Sequence, residues 1–208
     1  MAKYAREPIN GFTHLLGAIL SFAGLLILVI KTTLENPSPI ALTAVIIFGI
    51  SLILLYSASA TYHLVIAKEN TIKFLRRIDH SMIFILIAGS YAPFCLISLN
   101  GVKGWVLFAI EILIAILGVA FKLVWFESPR WISTLIYVVM GWCAIFLIVP
   151  LSKSLSSIGV MLLIPVLLNF LLPIKTGLNI IKQDDLWLSF WATYLSACAS
   201  AIMAAVSW

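Results

Sequence analysis

Seven runs of about 20 apolar residues, separated by short polar breaks, constrain this chain more strongly than any other feature of its sequence. A helix of about 20 such residues is long enough to cross the hydrocarbon core of a bilayer. The first run lacks an A-x-A-like cleavage site, so we interpret it as a retained span and not as a signal peptide. The sequence therefore predicts seven spans, over residues 12–30, 40–64, 80–102, 104–121, 131–152, 154–174 and 186–208.

The composition indicates a chain that is solvated by lipid. Of the 208 residues, 63% are hydrophobic and only 10% are charged, whereas a soluble domain carries about 25% charged residues. No segment alternates polar and apolar residues over the length of a barrel strand, and a helix satisfies its own backbone hydrogen bonds in lipid. We predict an all-α fold, a polytopic membrane protein whose single domain over residues 1–208 is a seven-transmembrane helix bundle.

The positions of the lysines and arginines predict the orientation of the chain. Short cytoplasmic loops carry an excess of these residues. With the N-terminus inside, ten of the 13 fall on the cytoplasmic side, and three fall outside, namely Lys31, Lys103 and Lys153. We therefore predict a protein integral to the plasma (inner) membrane, with a cytoplasmic N-terminus and an external C-terminus.

The distribution of lysines and arginines also indicates which molecules the chain binds. The net charge of +5 comes from residues in short loops, where they act as topology signals and contact anionic lipids. No basic patch is interleaved with exposed aromatic residues, which argues against nucleic-acid binding. Membrane lipids are the expected partners, while the sequence implies no soluble protein partner and does not define an oligomeric state.

Ionisable residues in or beside apolar spans are functional candidates, because their burial in lipid is unfavourable. The alternating direction of the spans places His14, His63, Asp79 and Asp185 near the cytoplasmic ends of four different spans. Glu111 lies inside the fourth span, away from that group. A carboxyl at that depth is protonated or hydrogen-bonded within the bundle, or it carries protons.

Two further polar residues belong with this group. Ser59 lies four residues before His63, so the two share a helix face. Glu7 lies seven residues before His14, roughly two helical turns, so these two could line one face. A serine at position 59 could hydrogen-bond to a ligand or to a metal-bound water.

Each candidate also has a purely structural interpretation. Ser59 can bond to its own helix backbone, and His63 can cap or snorkel at a helix end. Asp79 follows two arginines and can be a helix N-terminal charge that the helix dipole favours. Glu7 and His14 can be an interfacial pair without chemistry. The residues alone leave these alternatives open.

The candidates lie within short motifs that occur in a fixed order. These motifs are EPINGFTH at 7–14, SATYH at 59–63, RRIDH at 76–80, AGSYAPF at 88–94, FK at 121–122 and YVVMGW at 137–142. Together they resemble the hemolysin III family, the bacterial branch of the progestin and adipoQ receptor superfamily, over roughly residues 5 to 152.

The resemblance implies a seven-helix bundle with a cytoplasmic N-terminus and a zinc ion near its cytoplasmic end. Family members bind the zinc through three histidines, one from the S-x3-H motif and two from an H-x3-H pair that opens the seventh span. By that resemblance His63 is a metal ligand, and Ser59 and Asp79 are supporting or catalytic groups. Eukaryotic relatives are linked to ceramide hydrolysis, and bacterial members to membrane-lipid homeostasis and a reported lytic activity.

The C-terminal third departs from the family pattern, because no histidine follows His80. An ungapped comparison anchored on residues 196–198 places Asp185 and Ser189 where the histidine pair belongs. Asp185 could bind zinc through oxygen, whereas a serine is a poor ligand. Asp79 could be a third ligand. His14 could contribute only if the bundle places it centrally. The sequence therefore leaves open an ordinary zinc site and a weakened or lost one.

Three functions stay open at this point. The chain is a zinc-dependent hydrolase of a lipid amide, a non-catalytic protein of membrane-lipid homeostasis or sensing, or a pore-forming, lytic protein. Whether it is an enzyme is thus undecided by the sequence. A retinal-binding pump is excluded, because such a pump needs a Schiff-base lysine in its seventh span and no lysine follows Lys182.

Overall fold

The computed structural model describes residues 5–35, 37–99, 101–125 and 130–143, and these residues are helical without any strand. Five α-helices follow one another, and a π-helix, Phe94–Leu99, directly continues the third. They are α1 Pro8–Glu35, α2 Pro39–Leu64, α3 Glu69–Pro93, α4 Gly101–Val124 and α5 Arg130–Trp142.

The all-helical membrane architecture that the sequence predicts is confirmed for the described residues. Four helical segments are long and apolar enough to cross a membrane: α1, α2, α3 with its π-helical continuation, and α4. The last part of the predicted span 131–152, from residue 144 onward, both later spans and Asp185 lie outside the described residues, so the count of seven spans stays a prediction.

Helix α3 begins well before the apolar span that starts at residue 80. The predicted polar break at 68–79 is almost entirely helical, and only Val65–Lys68 connects α2 to α3. Lys73 and Glu69 form an exposed i,i+4 ion pair at 2.8 Å, and Glu69 also faces the positive end of the helix dipole. The charged first turns therefore remain helical beyond the apolar part of the span.

Close contacts at small residues join successive helices. The contacts Gly11–Leu64 and Gly49–Leu25 run in opposite order along α1 and α2, so these two helices are antiparallel. A Cβ on Gly49 of α2 would lie 2.5 Å from Leu25 of α1, and one on Gly89 of α3 would lie 2.3 Å from Ser51 of α2. Gly118 of α4 packs in the same way on the ring of Phe84 in α3. Small residues allow helix backbones to approach closely in membranes, where burial from water does not drive association.

Helix α3 is central in the described bundle and α1 is peripheral. In their most apolar windows, 67% of the residues of α3 are buried, but only 11% of those of α1. The interior contains Phe48, Phe84 and Leu86, all nearly inaccessible. The apolar side chains of α1 are largely exposed, as expected for a helix that faces lipid.

Candidate functional site

The antiparallel order brings the start of α1, the end of α2 and the start of α3 to the same end of the bundle. Five of the residues singled out in the sequence lie at this end or within about two turns of it, and we call them the polar cluster: Glu7, His14, Ser59, His63 and Asp79. The sequence predicts this convergence for His14, His63 and Asp79 because every span reverses the chain direction, and it pairs Ser59 with His63 and Glu7 with His14 by helical spacing.

A close contact in the polar cluster joins Glu7 to His63. The Nδ1 atom of His63 lies 2.7 Å from Oε2 of Glu7, and the backbone N–H of Glu7 donates to the carbonyl oxygen of His63 at 2.9 Å. Asn10 donates through Nδ2 to the same Oε2 at 3.3 Å. Glu7 precedes the first residue of α1, and its carboxylate is directed to the end of α2 by these bonds.

The neighbours of this pair extend the contact between α1 and α2. The guanidinium of Arg6 lies over the ring of Tyr62, 4.1 Å from its centroid, and 3.3 Å from Oε1 of Glu7. Gly11 packs against Leu64, where a Cβ would lie 2.3 Å from Cδ2. Three consecutive residues that end α2 are thus each held by a residue at the entry of α1.

His14 packs on His63 without sharing a hydrogen bond with it. The two imidazoles are stacked, with centroids 5.5 Å apart and planes at 11°, and His14 also contacts the ring of Tyr56 at 5.9 Å. Two histidines on one zinc ion each place a nitrogen about 2.0–2.1 Å from the metal. Stacked rings at this separation do not converge in that way.

Ser59 and Asp79 form the second polar pair of the cluster, one turn of α2 deeper than His63. Ser59 is 5% exposed, and its side chain hydrogen-bonds to the carboxyl of Asp79. The charges of His63, Arg76 and Arg6 act on the same carboxyl. This contact joins α2 to α3.

The surroundings of Glu7 favour its ionised form. Burial raises the pKa of this carboxyl, but the hydrogen bond and charge of His63, with contributions from Asn10 and Arg6, outweigh burial. The pKa of Glu7 therefore lies below its ordinary value of 4.5. At neutral pH Glu7 is a carboxylate, which accepts hydrogen bonds and cannot donate them.

Glu111 is separate from the polar cluster. It is fully buried in α4, and among the described residues its carboxyl oxygens have no N–H or O–H partner. The thiol of Cys143, a weak donor, is its neighbour, and Cys95 in the π-helix is close enough to interact with it electrostatically. The structure thus assigns Glu111 to the interior of the bundle.

Sequence reasoning missed three contributors to the polar cluster: Arg6, Asn10 and Tyr62. Each lies one to three residues from a candidate that the sequence did identify. Arg6 and Tyr62 contact each other between two segments, which no spacing within one segment predicts, whereas Asn10 bonds to Glu7 three residues before it. The sequence signal that could have identified Arg6 and Tyr62 is their adjacency to the candidates Glu7 and His63.

The donor set of the described residues does not fit the zinc site that the resemblance implies. No group of three or more His, Cys, Asp and Glu side chains among them is arranged to hold a metal ion. The Nδ1 atom of His63 is bonded to Glu7, and the chain beyond residue 143 contains no histidine to supply the other two imidazoles. The predicted pair of His63 and Asp185 stays untested, because Asp185 lies outside the described residues.

Comparisons with known proteins agree with the motifs. A family model described as Haemolysin-III related matches residues 2–178. Hemolysin-3 of Bacillus cereus is 40% identical over 165 residues, which cover 79% of this chain and 74% of that protein. The Hemolysin-3 homolog of Bacillus subtilis (strain 168) is 34% identical over 202 residues, 97% of this chain and 93% of that protein. No solved structure matches the chain significantly.

Proposed function

The chain belongs to the haemolysin-III related family of membrane proteins, and from that premise we propose that its polar cluster binds the headgroup of a membrane lipid. The binding serves membrane-lipid sensing or homeostasis and does not lead to hydrolysis. The proposed topology has seven spans with the N-terminus in the cytoplasm. With this topology the polar cluster lies at the inner leaflet, which is the side that carries most of the lysines and arginines.

The observation that carries this proposal is the position of both signs of charge beside a lipid-facing helix. The carboxylate of Glu7 and the guanidinium of Arg6 lie at the entry of α1, which buries little of its own surface. Asp79 lies within range of the charge of Arg6. A zwitterionic headgroup likewise carries a cation and an anion close to each other. It reaches this end of α1 from the surrounding bilayer.

The internal pairing of the cluster argues against hydrolysis by its side chains alone. Asp79 is hydrogen-bonded to Ser59, and His63 to Glu7, so each group that could activate water is already committed on one side. The described donor set is also too small for a catalytic zinc ion, which normally has three protein ligands. Binding of a lipid headgroup, in contrast, requires neither a metal ion nor a general base.

Retention of lipid by purified protein tests this proposal. We expect native mass spectrometry to detect a retained phospholipid on the wild-type chain, and the occupancy to fall about tenfold in Asp79→Asn, which loses a charge-assisted contact. Glu69→Gln is the matched control, because Glu69 is an exposed carboxylate on the same helix, paired only with Lys73 in the described contacts. Equal occupancy in Asp79→Asn and in the wild type would overturn the proposal.

A second candidate function is a zinc-dependent hydrolase of a lipid amide. The Ser59–Asp79 pair beside His63 favours this function. The family resemblance implies that His63 is a metal ligand and that Ser59 and Asp79 are supporting or catalytic groups. Elemental analysis decides between the two. About one zinc per chain that is lost in His63→Ala, together with release of fatty acid from ceramide, would replace the headgroup proposal by the hydrolase.

A further inference from the structure

The guanidinium of Arg6 has N–H groups that the described residues leave without a hydrogen bond. Its Nε and Nη2 atoms are both hidden from solvent, and neither has a hydrogen-bond partner among those residues. We infer that this edge of Arg6 binds the phosphate of the headgroup, so that the site recognises phospholipids in preference to lipids with an uncharged headgroup. This inference rests on the proposed binding of a headgroup and names the chemical group that is recognised.

The two unbonded nitrogens belong to the same edge of the guanidinium, where their N–H bonds run side by side. Such an edge binds two oxygens of one phosphate or carboxylate at the same time. The carboxylate of Glu7 does not use the edge in this way. Its Oε1 lies 3.3 Å from Nη2 as an ion pair without hydrogen-bond geometry, and its Oε2 accepts a hydrogen bond from Asn10. The bidentate geometry of Arg6 is therefore unused within the described part of the chain.

The orientation of this edge is fixed by Tyr62. The guanidinium lies over the Tyr62 ring, 4.1 Å from its centroid, and the electron-rich face of the ring attracts the cation. One face of the guanidinium is thus covered, while 27% of the Arg6 side chain remains exposed and lets a ligand approach. N–H groups that are removed from water without a hydrogen bond are unfavourable, and a phosphate would supply the missing acceptors.

The surroundings of Arg6 favour a lipid as the source of the phosphate. Ile9 and Phe12, in the first turns of α1, are largely exposed, so acyl chains can lie along this helix while the phosphate lies at the level of Arg6. The carboxylate of Glu7 is beside Arg6, and the charge of Arg6 also acts on the carboxyl of Asp79. Both acidic groups would repel a free phosphate, whereas a zwitterionic phospholipid brings its own cation to them.

Competition between two lipids for the whole protein tests the inference. Nanodiscs would contain equal amounts of phosphatidylcholine and monoglucosyl diacylglycerol, whose polar headgroup has no phosphate. We expect native mass spectrometry to show phosphatidylcholine retained about tenfold over the glucosyl lipid, because only the phosphate forms charge-assisted hydrogen bonds with Arg6. Arg6→Gln should abolish this preference, and Arg6→Lys should lose most of it, because lysine keeps the charge without the planar edge. Lys68→Gln is the matched control, since Lys68 is an exposed cation at the same end of the bundle, and it should keep the preference.

Solid-state NMR provides a readout that a merely structural role of Arg6 would not move. The chain has four arginines, so the carbon-13 signal of the Arg6 Cζ atom can be assigned from Arg6→Lys. We expect a dipolar contact between this carbon and the phosphorus-31 nucleus of bound phosphatidylcholine in the wild type. With inorganic phosphate alone, added to the protein in maltoside micelles, the contact should be absent. The measurement on the wild type needs no variant that could fail to fold.

The outcomes of these experiments separate the inference from the proposed function. If phosphatidylcholine and the glucosyl lipid are retained equally, the inference is overturned and the proposed headgroup binding stands. If neither lipid is retained, both are overturned. A preference for phosphatidylcholine without a carbon–phosphorus contact at Arg6 would overturn the role of Arg6. A contact with inorganic phosphate but not with phosphatidylcholine would overturn the lipid as the source of the phosphate.

Discussion

His63 and Glu7 lie 56 residues apart in the chain, yet Nδ1 of the imidazole is 2.7 Å from Oε2 of the carboxylate. This contact joins the end of α2 to the entry of α1. It exists because two helices of similar length run antiparallel and return the chain to the end at which it began.

The Glu7–His63 pair should contribute coupling energy to the stability of the bundle. A double-mutant cycle of Glu7→Ala and His63→Ala, followed by thermal unfolding in detergent micelles, should give a coupling of about 1 kcal/mol, because the pair is partly buried and its geometry is good. The exposed i,i+4 pair of Lys73 and Glu69 is the control, with an expected coupling of about 0.3–0.5 kcal/mol. Strictly additive effects for Glu7 and His63 would contradict the observed contact.

The same pair predicts a dependence on pH that Glu7→Gln removes. The pKa of Glu7 is lower in the folded chain than its ordinary value of 4.5, so its stabilising effect is fully present above that value and is lost as the pH falls through the lowered pKa. The melting temperature of the wild type should therefore exceed that of Glu7→Gln at pH 6, and the difference should shrink at pH 3. A difference that is the same at both pH values would rule out an ionised Glu7 as its cause.

Close packing at the start of α4 should make Gly104 intolerant of a side chain. A Cβ there would lie 2.0 Å from the backbone carbonyl oxygen of Cys95, and backbone atoms cannot move aside cheaply. Gly104→Ala should lower the melting temperature, whereas Gly24→Ala, with open space around the added methyl group, should leave it equal or higher. Equal effects of the two substitutions would show that α4 does not approach the π-helix this closely.

The buried carboxyl of Glu111 should be replaceable by an apolar side chain of similar size. Because it has no N–H or O–H partner among the described residues, its burial opposes folding. Glu111→Met should raise the melting temperature by about 2 °C or more, and Glu35→Met at an exposed position should not. A large loss of stability in Glu111→Met would instead indicate that the carboxyl binds a partner.

The apolar runs of the sequence predicted the first four membrane helices because the thickness of a bilayer dictates their length. They did not predict where α3 begins. A run of apolar residues locates the part of a helix that lies in lipid, and it says nothing about charged turns such as those that follow Glu69, which continue the helix into water.

The polar cluster was predictable in its location but not in its contacts. The alternation of spans predicts His14, His63, Asp79 and Asp185 near one end of the bundle, and the structure has the first three of these close to one another. The sequence pairs Glu7 with His14 by helical spacing, but Glu7 lies just before α1, so its carboxylate is free to turn towards His63. Contacts of this kind depend on how helices pack, which spacing along one segment does not encode.

Photo-crosslinking with a phosphatidylethanolamine that carries a diazirine in its headgroup tests whether the polar cluster binds lipid headgroups. If the polar cluster binds headgroups, adducts that unlabelled lipid competes away will map to the peptides around Glu7, His63 and Asp79. A shallow apolar groove at the opposite end, formed by Pro39 and Trp105 among others, should give adducts that are not competed. Competed adducts at that groove, or none at the polar cluster, would contradict the account.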